Sequence, residues 1–291
     1  MVKVYSITMH GLLVLDKPLG MTSRDVVNRA QRWFPRGTRI GHTGTLDPLA
    51  TGVLVLTVGH ATRLTEYVQD MGKTYVADVE LGATSATDDA EGPVTPVAVA
   101  VPPGRDAVNE ALATFVGTIE QVPSAFSAVK VAGRRAYDLA RQGSAVELAP
   151  RTVRIDGIDV LAYDYPHLRL EVRCGKGTYI RSLARDLGER LGCGGYLTGL
   201  RRTRVGQFAP EQGIPLDAVD VGNLRPLVEA VAALPQIGVS SVDAARLRHG
   251  QRIVATAAAA PEVAVLDPVG ALVAIVESDG HTLRPLKVIP A

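Results

Sequence analysis

The most informative stretch of the chain is GHTGTLDPLATGVLVLTV at residues 41–58, where a glycine-rich segment runs into an apolar one. Its second part, VLVLTV at residues 53–58, predicts a buried strand because it is almost continuously apolar. Its first part carries three glycines, which allow a backbone to turn tightly and to approach a ligand closely. The stretch therefore predicts a tightly turned loop followed by a core strand.

Two polar residues in this loop are candidates for function, but each also has a structural interpretation. Asp47 precedes Pro48, and this pair is typical of a helix N-terminus, since Asp is a favoured N-cap and Pro a favoured first helical residue. From spacing alone we favour a helix cap over a catalyst at Asp47. His42, taken alone, is likewise better explained as a structural residue than as a ligand.

On either side of this stretch, strand and helix patterns alternate in an irregular order. Short apolar or alternating runs predict strands at residues 11–16, 73–82 and 166–173. Apolar residues at helical spacing predict one helix between Thr22 and Pro35 and others at 61–71, 106–116 and 180–191. These elements indicate a mixed α/β or α+β architecture.

Other segments predict how the chain is divided. Residues 215–235 predict a connecting helical stretch between two prolines, and a small β-rich domain follows it. Strands of that domain are predicted near residues 262–266, 271–276 and 282–289. Residues 1–10 predict a loose N-terminal extension. Residues 121–148 are basic and mostly non-periodic, which is typical of an excursion from the main sheet.

The distribution of charge along the chain is uneven. The 291 residues include 31 Lys and Arg against 30 Asp and Glu, a formal net charge of +1. This balance excludes an acidic tail, a histone-like basic coat and highly charged disorder. Positive charge concentrates in residues 1–40, 130–154 and 169–204, and negative charge in 76–104 and 205–245. Either the basic zones converge into one face suited to phosphate, or the arginine content reflects genomic composition alone.

Several common functional motifs are absent from the sequence. It contains no P-loop, dinucleotide-binding, zinc-protease or serine-hydrolase motif. Cys174 and Cys193 form neither a disulfide framework nor a metal-binding pair, and the six histidines are scattered, so we expect no metal site. No apolar run approaches the ~20 residues of a membrane span. The chain is therefore predicted to be reduced and cytoplasmic, with no membrane association.

Six segments together resemble one known family, the TruB family of bacterial tRNA pseudouridine-55 synthases. They are GLLVLDKPLGMTS at 11–23, GHTGTLDPLATGVL at 41–54, KTYVADVELGATSATDDAEG at 73–92, VPSAFSAVKVAGRRAYDLARQG at 122–143, GKGTYIRSLARDLGERLG at 175–192 and LTGLRRTRVG at 197–206. The resemblance covers residues 11–210 and is highly specific. Tyr196 departs from it, because many relatives have His at that position.

The resemblance implies a fold and a domain division. The fold is α+β: a catalytic domain with a mixed, mostly antiparallel sheet flanked by helices, and a small C-terminal β-barrel-like domain of the PUA type. The catalytic domain spans residues 11–232 and follows the extension at 1–10. Residues 121–148 form an RNA-clamping insertion, and residues 233–291 form the PUA-like RNA-binding domain.

The resemblance also implies an activity. A uridine in the T-loop of tRNA is flipped out of its stack and isomerised to pseudouridine by carboxylate catalysis. The reaction needs no cofactor, because no electrons move and no group is donated. We expect the protein to bind the T-stem-loop of tRNA as a monomer and without a guide RNA.

Roles for individual residues follow from the matching positions. Asp47 corresponds to the catalytic aspartate, Arg181 to the residue that pairs with it, and Tyr75 to the tyrosine that stacks on the target base. Tyr75 is also a candidate for proton transfer. The remaining substrate-binding positions are His42, which enters the T-loop, and Tyr179 and Leu200, which line the uracil pocket. Lys17 and Pro18 match a motif that supports the active-site loop.

A second set of residues matches positions expected to contact the RNA backbone. The insertion contributes Lys130, Arg134, Arg135 and Arg141. A strand at the sheet edge contributes Arg201, Arg202 and Arg204. The acidic stretches are expected to lie mostly away from the tRNA.

Three alternatives stand beside this interpretation. One is a non-catalytic RNA-binding or tRNA-folding protein on the same scaffold. Another is a glycoside hydrolase, which usually needs two positioned carboxylates, whereas we expect no second acid beside Asp47. The third is a guide-RNA-dependent relative, which is disfavoured for a compact chain with its own clamp-like segment. Joint presence of Asp47, Tyr75 and Arg181 favours the enzyme.

Overall fold

The computed structural model describes residues 9–126, 130–131, 134–135 and 148–290. Two sheets dominate this part of the chain. The larger has nine strands: β1 (Gly11–Lys17), β2 (Ile40–His42), β3 (Ala50–Val58), β4 (Lys73–Leu81), β7 (Gly117–Gln121), β10 (Arg151–Asp164), β11 (His167–Cys174), β12 (Gly195–Val205) and β13 (Ile214–Pro215). Two hairpins lie outside it: β5 (Ala83–Ser85) with β6 (Val94–Pro96), and β8 (Lys130–Val131) with β9 (Arg134–Arg135).

The strand order of the large sheet is β13-β1-β3-β12-β4-β11-β10-β7, with β2 added beside β3. Its pairs are antiparallel except β1 with β13 and β3 with β12. The expected mixed, mostly antiparallel sheet is thus confirmed. Strand β12 lies between β3 and β4, so it occupies the interior of the sheet and not its edge.

The apolar run of β3 reflects burial on both faces of the sheet. Leu54 and Leu56 point into the core on one face, together with helices α1 (Ser23–Ala30), α3 (Arg105–Ala113) and α4 (Ile180–Arg190). Val53 and Val55 point into a second core on the opposite face. A strand covered on both sides has no solvent-facing position, which explains why its sequence is continuously apolar rather than alternating.

The start of helix α1 follows the capping chemistry of the sequence. The Thr22 hydroxyl accepts a hydrogen bond from the Asp25 backbone N–H at 3.1 Å, and the Asp25 carboxylate accepts one from the Thr22 N–H at 3.0 Å. This capping box begins α1 directly after the loop that follows β1. Helix α4 buries Ile180, Leu183 and Leu187 against the sheet, as its apolar spacing predicts.

Some predicted elements differ from the structure. The helix predicted at 61–71 is a 3-10 segment, Gly59–Leu64, followed by a short helix α2 (Thr65–Asp70). The helical stretch predicted at 215–235 contains only short 3-10 turns. The 14-residue strand β10 was not predicted, because its alternation of buried and exposed positions includes Gly157 and continues beyond it with only half-buried and exposed residues.

The C-terminal part forms the second sheet, in agreement with the small β-rich domain. Its strand order is β14-β16-β17-β18-β15, with β14 (Gln236–Gly238), β15 (Ile253–Val254), β16 (Ala260–Leu266), β17 (Leu272–Ser278), β18 (Thr282–Val288) and a helix α5 (Ser241–Arg248). Ala264, Leu272 and Ile275 join the second core of the large sheet. The Tyr67 hydroxyl also donates to a carboxylate oxygen of Glu262 at 2.6 Å. The two sheets therefore share a core.

Candidate active site

Asp47 lies in the glycine-rich loop between β2 and β3, in a turn and not at a helix start. The Ala50 N–H donates to the Asp47 carbonyl at 3.0 Å, which closes a four-residue turn with Pro48 in its second position. No helix follows Pro48, so the helix-cap interpretation from spacing is wrong. The same Asp-Pro pair suits a turn because proline sets the backbone angle that the second turn residue needs.

The loop is held by the segment between β1 and α1. The Ser23 hydroxyl accepts a hydrogen bond from the Leu46 N–H at 2.8 Å, one residue before Asp47. The ammonium of Lys17 donates to the carbonyls of Pro18 at 2.9 Å and Met21 at 2.5 Å. Burial lowers the pKa of Lys17 to about 8, and the negative charge of Asp47 opposes this shift. Lys17 thus organises the supporting segment from inside the protein.

Arg181, on the first turn of α4, connects the loop to two carboxylates. Its Nε lies 3.1 Å from Asp47 Oδ2, and its Nη1 lies 3.1 Å from Asp89 Oδ2. The Arg181 side chain is 6% exposed, whereas Asp47 is 34% exposed. One buried guanidinium therefore bridges an accessible carboxylate and a buried one. Its planar, fixed donors restrict the orientation of the Asp47 carboxylate.

Sequence reasoning missed Asp89. It belongs to the acidic stretch at 76–104, which was expected to lie mostly away from the tRNA, yet Asp89 is only 1% exposed and contacts Arg181. Its other oxygen accepts from the Thr87 hydroxyl at 2.5 Å and the Glu91 N–H at 3.0 Å. The expectation of no second acid near Asp47 is therefore wrong. The signal available in the sequence was an adjacent pair of aspartates inside the segment 73–92.

The protonation of Asp47 is set by two opposing effects. Burial raises the pKa of the Asp47 carboxyl, and the adjacent Arg181 guanidinium opposes that rise. The negative charge of Asp89 raises the pKa of Asp47 further, and the positive charge of Lys17 lowers it. The direct contact with Arg181 and the charge of Lys17 thus favour the ionised carboxylate against the effect of burial.

A cavity of about 510 Å³ opens beside Asp47. Five of the six residues predicted for catalysis and substrate binding line it: Asp47, Tyr75, Tyr179, Arg181 and Leu200. Tyr75 comes from β4, Leu200 from β12, and Tyr179 immediately precedes α4. Burial raises the pKa of Tyr75, so its phenol is protonated at neutral pH. The cavity combines an accessible carboxylate with aromatic and apolar walls, which suits a planar base.

The chain is similar to known proteins along most of its length. The family model described as TruB family pseudouridylate synthase (N terminal domain) matches residues 32–180. Models described as tRNA pseudouridylate synthase B C-terminal domain and tRNA Pseudouridine synthase II, C terminal, match residues 181–224 and 234–290. A tRNA pseudouridine synthase B of Mycobacterium sp. (strain KMS) is 44% identical over 287 residues, covering 96% of each chain. The chain belongs to the TruB family of pseudouridylate synthases.

A second relative and a solved structure also support membership of the TruB family. A tRNA pseudouridine synthase B of Dehalococcoides mccartyi (strain CBDB1) is 43% identical over 291 residues, covering 96% of each chain. Among solved structures, a chain of a Cbf5-Nop10-Gar1 complex superposes with a TM-score of 0.73 at 26% identity. That match covers 98% of this chain and 88% of the other. The pseudouridine synthase fold expected from the sequence is thereby confirmed.

His42 is a predicted site residue of this TruB-family chain that does not line the cavity. It ends β2, and its Nδ1 is buried without a hydrogen-bond partner in the described structure. Burial lowers the pKa of His42, and the charges of Arg24 and Arg202 lower it further. The imidazole is therefore neutral at physiological pH, with a nitrogen still able to bond a ligand group.

The three arginines predicted at a sheet edge have different environments in the TruB fold. Arg201 forms a two-bond ion pair with Asp16 at 3.0 and 2.9 Å, and Arg204 is exposed. Arg202 is 2% exposed, and its Nε and Nη2 donate to the carbonyls of Val53 at 2.7 Å and Gly44 at 3.2 Å. This burial does not favour a contact between Arg202 and an RNA backbone, and Arg202 instead lines the cavity. The predicted position of the strand at a sheet edge is wrong, because β12 lies between β3 and β4.

Arg202 ties the glycine-rich loop that carries Asp47 to strand β3. Gly52 has φ +100°, and a Cβ there would collide with the Arg202 carbonyl oxygen.

We expect Arg202→Met to lower the free energy of unfolding by about 2 kcal/mol, because two buried carbonyls lose their donor. Chemical denaturation measures this change, with exposed Arg204→Met as control. Equal stability of the two variants would contradict this role.

The residues predicted on the RNA clamp are only partly covered. Lys130, Arg134 and Arg135 belong to the short hairpin β8–β9, whose backbone alone is described. Arg141 lies outside the described residues. Their contacts with RNA stay a prediction.

In the described part of the chain, no group of three or more His, Cys, Asp or Glu side chains is arranged to hold a metal ion. None of the described helices is long and apolar enough to cross a membrane.

Proposed function

We propose that this protein is a tRNA pseudouridine-55 synthase with Asp47 as its catalytic carboxylate. The observation that carries the proposal is the Asp47–Arg181 ion pair at the wall of a cavity lined by Tyr75, Tyr179 and Leu200. A partly exposed carboxylate held by a buried cation is an available nucleophile or base. Family membership and relatives named tRNA pseudouridine synthase B support tRNA as the substrate.

The reaction rearranges the target nucleotide without adding or removing any group. The N1–C1′ glycosidic bond breaks, the uracil turns within the cavity, and a C5–C1′ bond forms. The proton on C5 is lost and N1 finally carries a proton, so atoms and electrons balance. Asp47 acts as nucleophile at C1′ or C6, or as the base. The Tyr75 phenol, protonated because burial raises its pKa, is placed to support the base and to relay a proton.

Access of the uridine to Asp47 requires base flipping. A base stacked inside the T-loop cannot reach a carboxylate inside a cavity, so it must leave its stack. Aromatic walls from Tyr75 and Tyr179 recover part of the stacking energy, about 1–3 kcal/mol per base. The neutral imidazole of His42 is a donor or acceptor available to the T-loop beside the cavity.

The partner proposed for this site is the T-stem-loop of tRNA, recognised by the protein alone. The protein acts as a monomer without a guide RNA, and in the cytoplasm, where tRNA is processed. Residues 233–291 are proposed as the PUA-like RNA-binding domain, and residues 11–232 as the catalytic domain with the clamp at 121–148.

An assay on unmodified tRNA tests the proposal. A tRNA transcript is incubated with the purified protein, and pseudouridine is mapped chemically at single-nucleotide resolution. We expect one modified uridine in the T-loop. A transcript with that uridine replaced by cytidine is the matched control. Absence of pseudouridine from the T-loop of the uridine transcript would overturn the proposal.

The two other functions considered for this scaffold are less well supported. A tRNA-folding protein without catalysis has no use for a carboxylate held ionised beside a cavity. A glycoside hydrolase needs a second carboxyl group that reaches the leaving group. Asp89 is the second carboxyl group near Asp47. It is only 1% exposed and lies behind Arg181, so it has no access to a substrate.

The pH dependence of turnover follows from the environment of Asp47. Only the ionised carboxylate is active, and burial raises the pKa of Asp47 above its ordinary value. Activity therefore falls as pH decreases through this raised pKa, with a slope of about one in log kcat against pH. Single-turnover rates between mildly acidic and neutral pH measure this limb. A rate independent of pH down to the ordinary range of Asp would contradict the assignment.

The clamp hypothesis makes a separate prediction about salt. We expect the double change Arg134→Ala plus Arg135→Ala to weaken tRNA binding and to flatten its salt dependence, because fewer counterions are released. Each lost phosphate contact reduces the slope of log K against log salt by roughly 0.7–0.9. Titrations at several salt concentrations measure the slope. An unchanged slope would show that both arginines face solvent in the complex.

A further inference from the structure

The chain that leads into the insertion, residues 121–126, is fastened to the active-site framework. At its start, the Gln121 side chain accepts a hydrogen bond from the Tyr179 N–H at 2.8 Å and donates to the Tyr179 carbonyl at 3.0 Å. Further along, the Ser124 hydroxyl donates to the Thr87 carbonyl at 3.2 Å. Gln121 and Ser124 are each 1% exposed. This lead-in segment is therefore part of the core around the site.

Two arginines one helical turn apart on α4 hold the same segment. Nη2 of Arg181 donates to the Phe126 carbonyl at 2.9 Å, and Nη2 of Arg185 donates to the Val122 carbonyl at 2.8 Å. The carbonyls are four residues apart in sequence, as the arginines are. Because residues i and i+4 lie on one helix face, α4 presents both guanidinium groups to the segment.

Each arginine is paired with one of two adjacent aspartates. Arg181 contacts Asp89, and Nη1 of Arg185 lies 3.0 Å from Asp88 Oδ2, while Nη2 of Arg185 also lies 2.8 Å from Oδ1 of its neighbour Asp186. Asp88 has φ +62°, a left-handed conformation that an Asp side chain tolerates better than most. The Arg185 and Asp88 side chains are 22% and 13% exposed. The Arg185 pair thus repeats the arrangement of the Arg181 pair, but without a contact to Asp47.

We propose that Arg185 is a positioning residue for catalysis, which acts through the lead-in segment on Arg181. Arg185 fixes Val122, and the segment that begins there places the Phe126 carbonyl against Arg181. The guanidinium is planar, so the bond to Phe126 and the bond to Asp47 are geometrically linked. Loss of the bond to the Phe126 carbonyl allows the guanidinium plane of Arg181 to rotate, and this rotation weakens the bond to Asp47. Asp88 completes the unit by holding Arg185 in place.

The inference rests on the proposed function, and its test compares Arg185→Gln with Arg190→Gln. Arg190 lies at the exposed end of the same helix, so both variants lose one charge from α4. We expect Arg185→Gln to lower kcat about tenfold, since small misplacements at a reacting centre cost up to ~10²-fold. The Kd for tRNA should change less than about twofold. Arg190→Gln should retain wild-type kcat.

A pH profile separates positioning from a structural role. Arg181 holds the pKa of Asp47 down, so displacement of Arg181 raises it. The acidic limb of the kcat profile should therefore move to higher pH in Arg185→Gln and in Asp88→Asn. Arg185→Lys keeps a cation near Asp88 and should restore part of the rate. Mere destabilisation lowers the active fraction at every pH and leaves the limb in place.

Two outcomes overturn the inference. One is a normal kcat for Arg185→Gln. The other is a lowered kcat whose acidic limb matches that of the wild type, which would make Arg185 only a stabilising residue. Hydrogen exchange of the amides of residues 122 and 124–126 in the free protein adds a readout independent of activity, and unchanged protection in Arg185→Gln also overturns the inference. Failure of the proposed function is distinct, because the wild-type protein would then form no pseudouridine.

Discussion

Asp47→Asn is expected to abolish turnover while tRNA binding stays close to that of the wild type. The asparagine side chain has almost the same shape, and its carbonyl oxygen still accepts a hydrogen bond from Arg181 Nε. It carries no negative charge, however, and can act neither as a nucleophile nor as a base. We expect kcat to fall at least about 10³-fold. Loss of one proton-transfer group alone typically costs 10²–10⁴-fold, and loss of a nucleophile costs at least as much.

Single-turnover formation of pseudouridine and equilibrium tRNA binding measure the two parts of this expectation. Asp106→Asn is the matched control, because Asp106 is an exposed carboxylate in the first turn of α3, away from the cavity. The Asp47 assignment would be refuted by a variant that kept the wild-type rate. A parallel loss of binding and rate would instead show that Asp47 orders the loop for RNA.

Arg181→Met is expected to have the second largest effect, on both activity and stability. Removal of the guanidinium leaves Asp89 buried at 1% exposure without its cation. Breaking a buried pair in this way typically costs 3–5 kcal/mol. The pKa of Asp47 rises as well, since the first opposing charge is gone, and less of the carboxylate is ionised at neutral pH. We expect kcat to fall at least ~10²-fold.

Arg181→Lys and the double variant Arg181→Met plus Asp89→Leu separate the two effects. Lysine keeps the charge but cannot reach both carboxylates with fixed donors, so it should recover part of the stability and little of the rate. The double variant removes both buried charges and should regain stability without activity. Thermal unfolding and single-turnover rates measure the two properties. Wild-type activity in Arg181→Met would show that Asp47 needs no cation.

Much of this fold was readable from local sequence patterns. The capping residues at Thr22 and Asp25, the apolar spacing of α4 and the alternation in β4 each act within a few residues, so they can be recognised without a partner element. Elements stabilised mainly by neighbours were predicted poorly. Strand β10 is an example, because its pairing with β7 and β11 defines it more than its own weak apolar pattern.

The candidate site shows the same division. The sequence by itself determined the family and the absence of common cofactor motifs, and it predicted Asp47, Tyr75 and Arg181 as site residues, since these depend on residue identity and spacing. Only the tertiary structure decided what surrounds them. It brought Asp89 from an acidic loop to Arg181, buried Arg202 beneath the loop that carries Asp47 and placed Asp47 in a turn. These are contacts between distant segments, and burial, which sets both pKa and accessibility, exists only once the chain has folded.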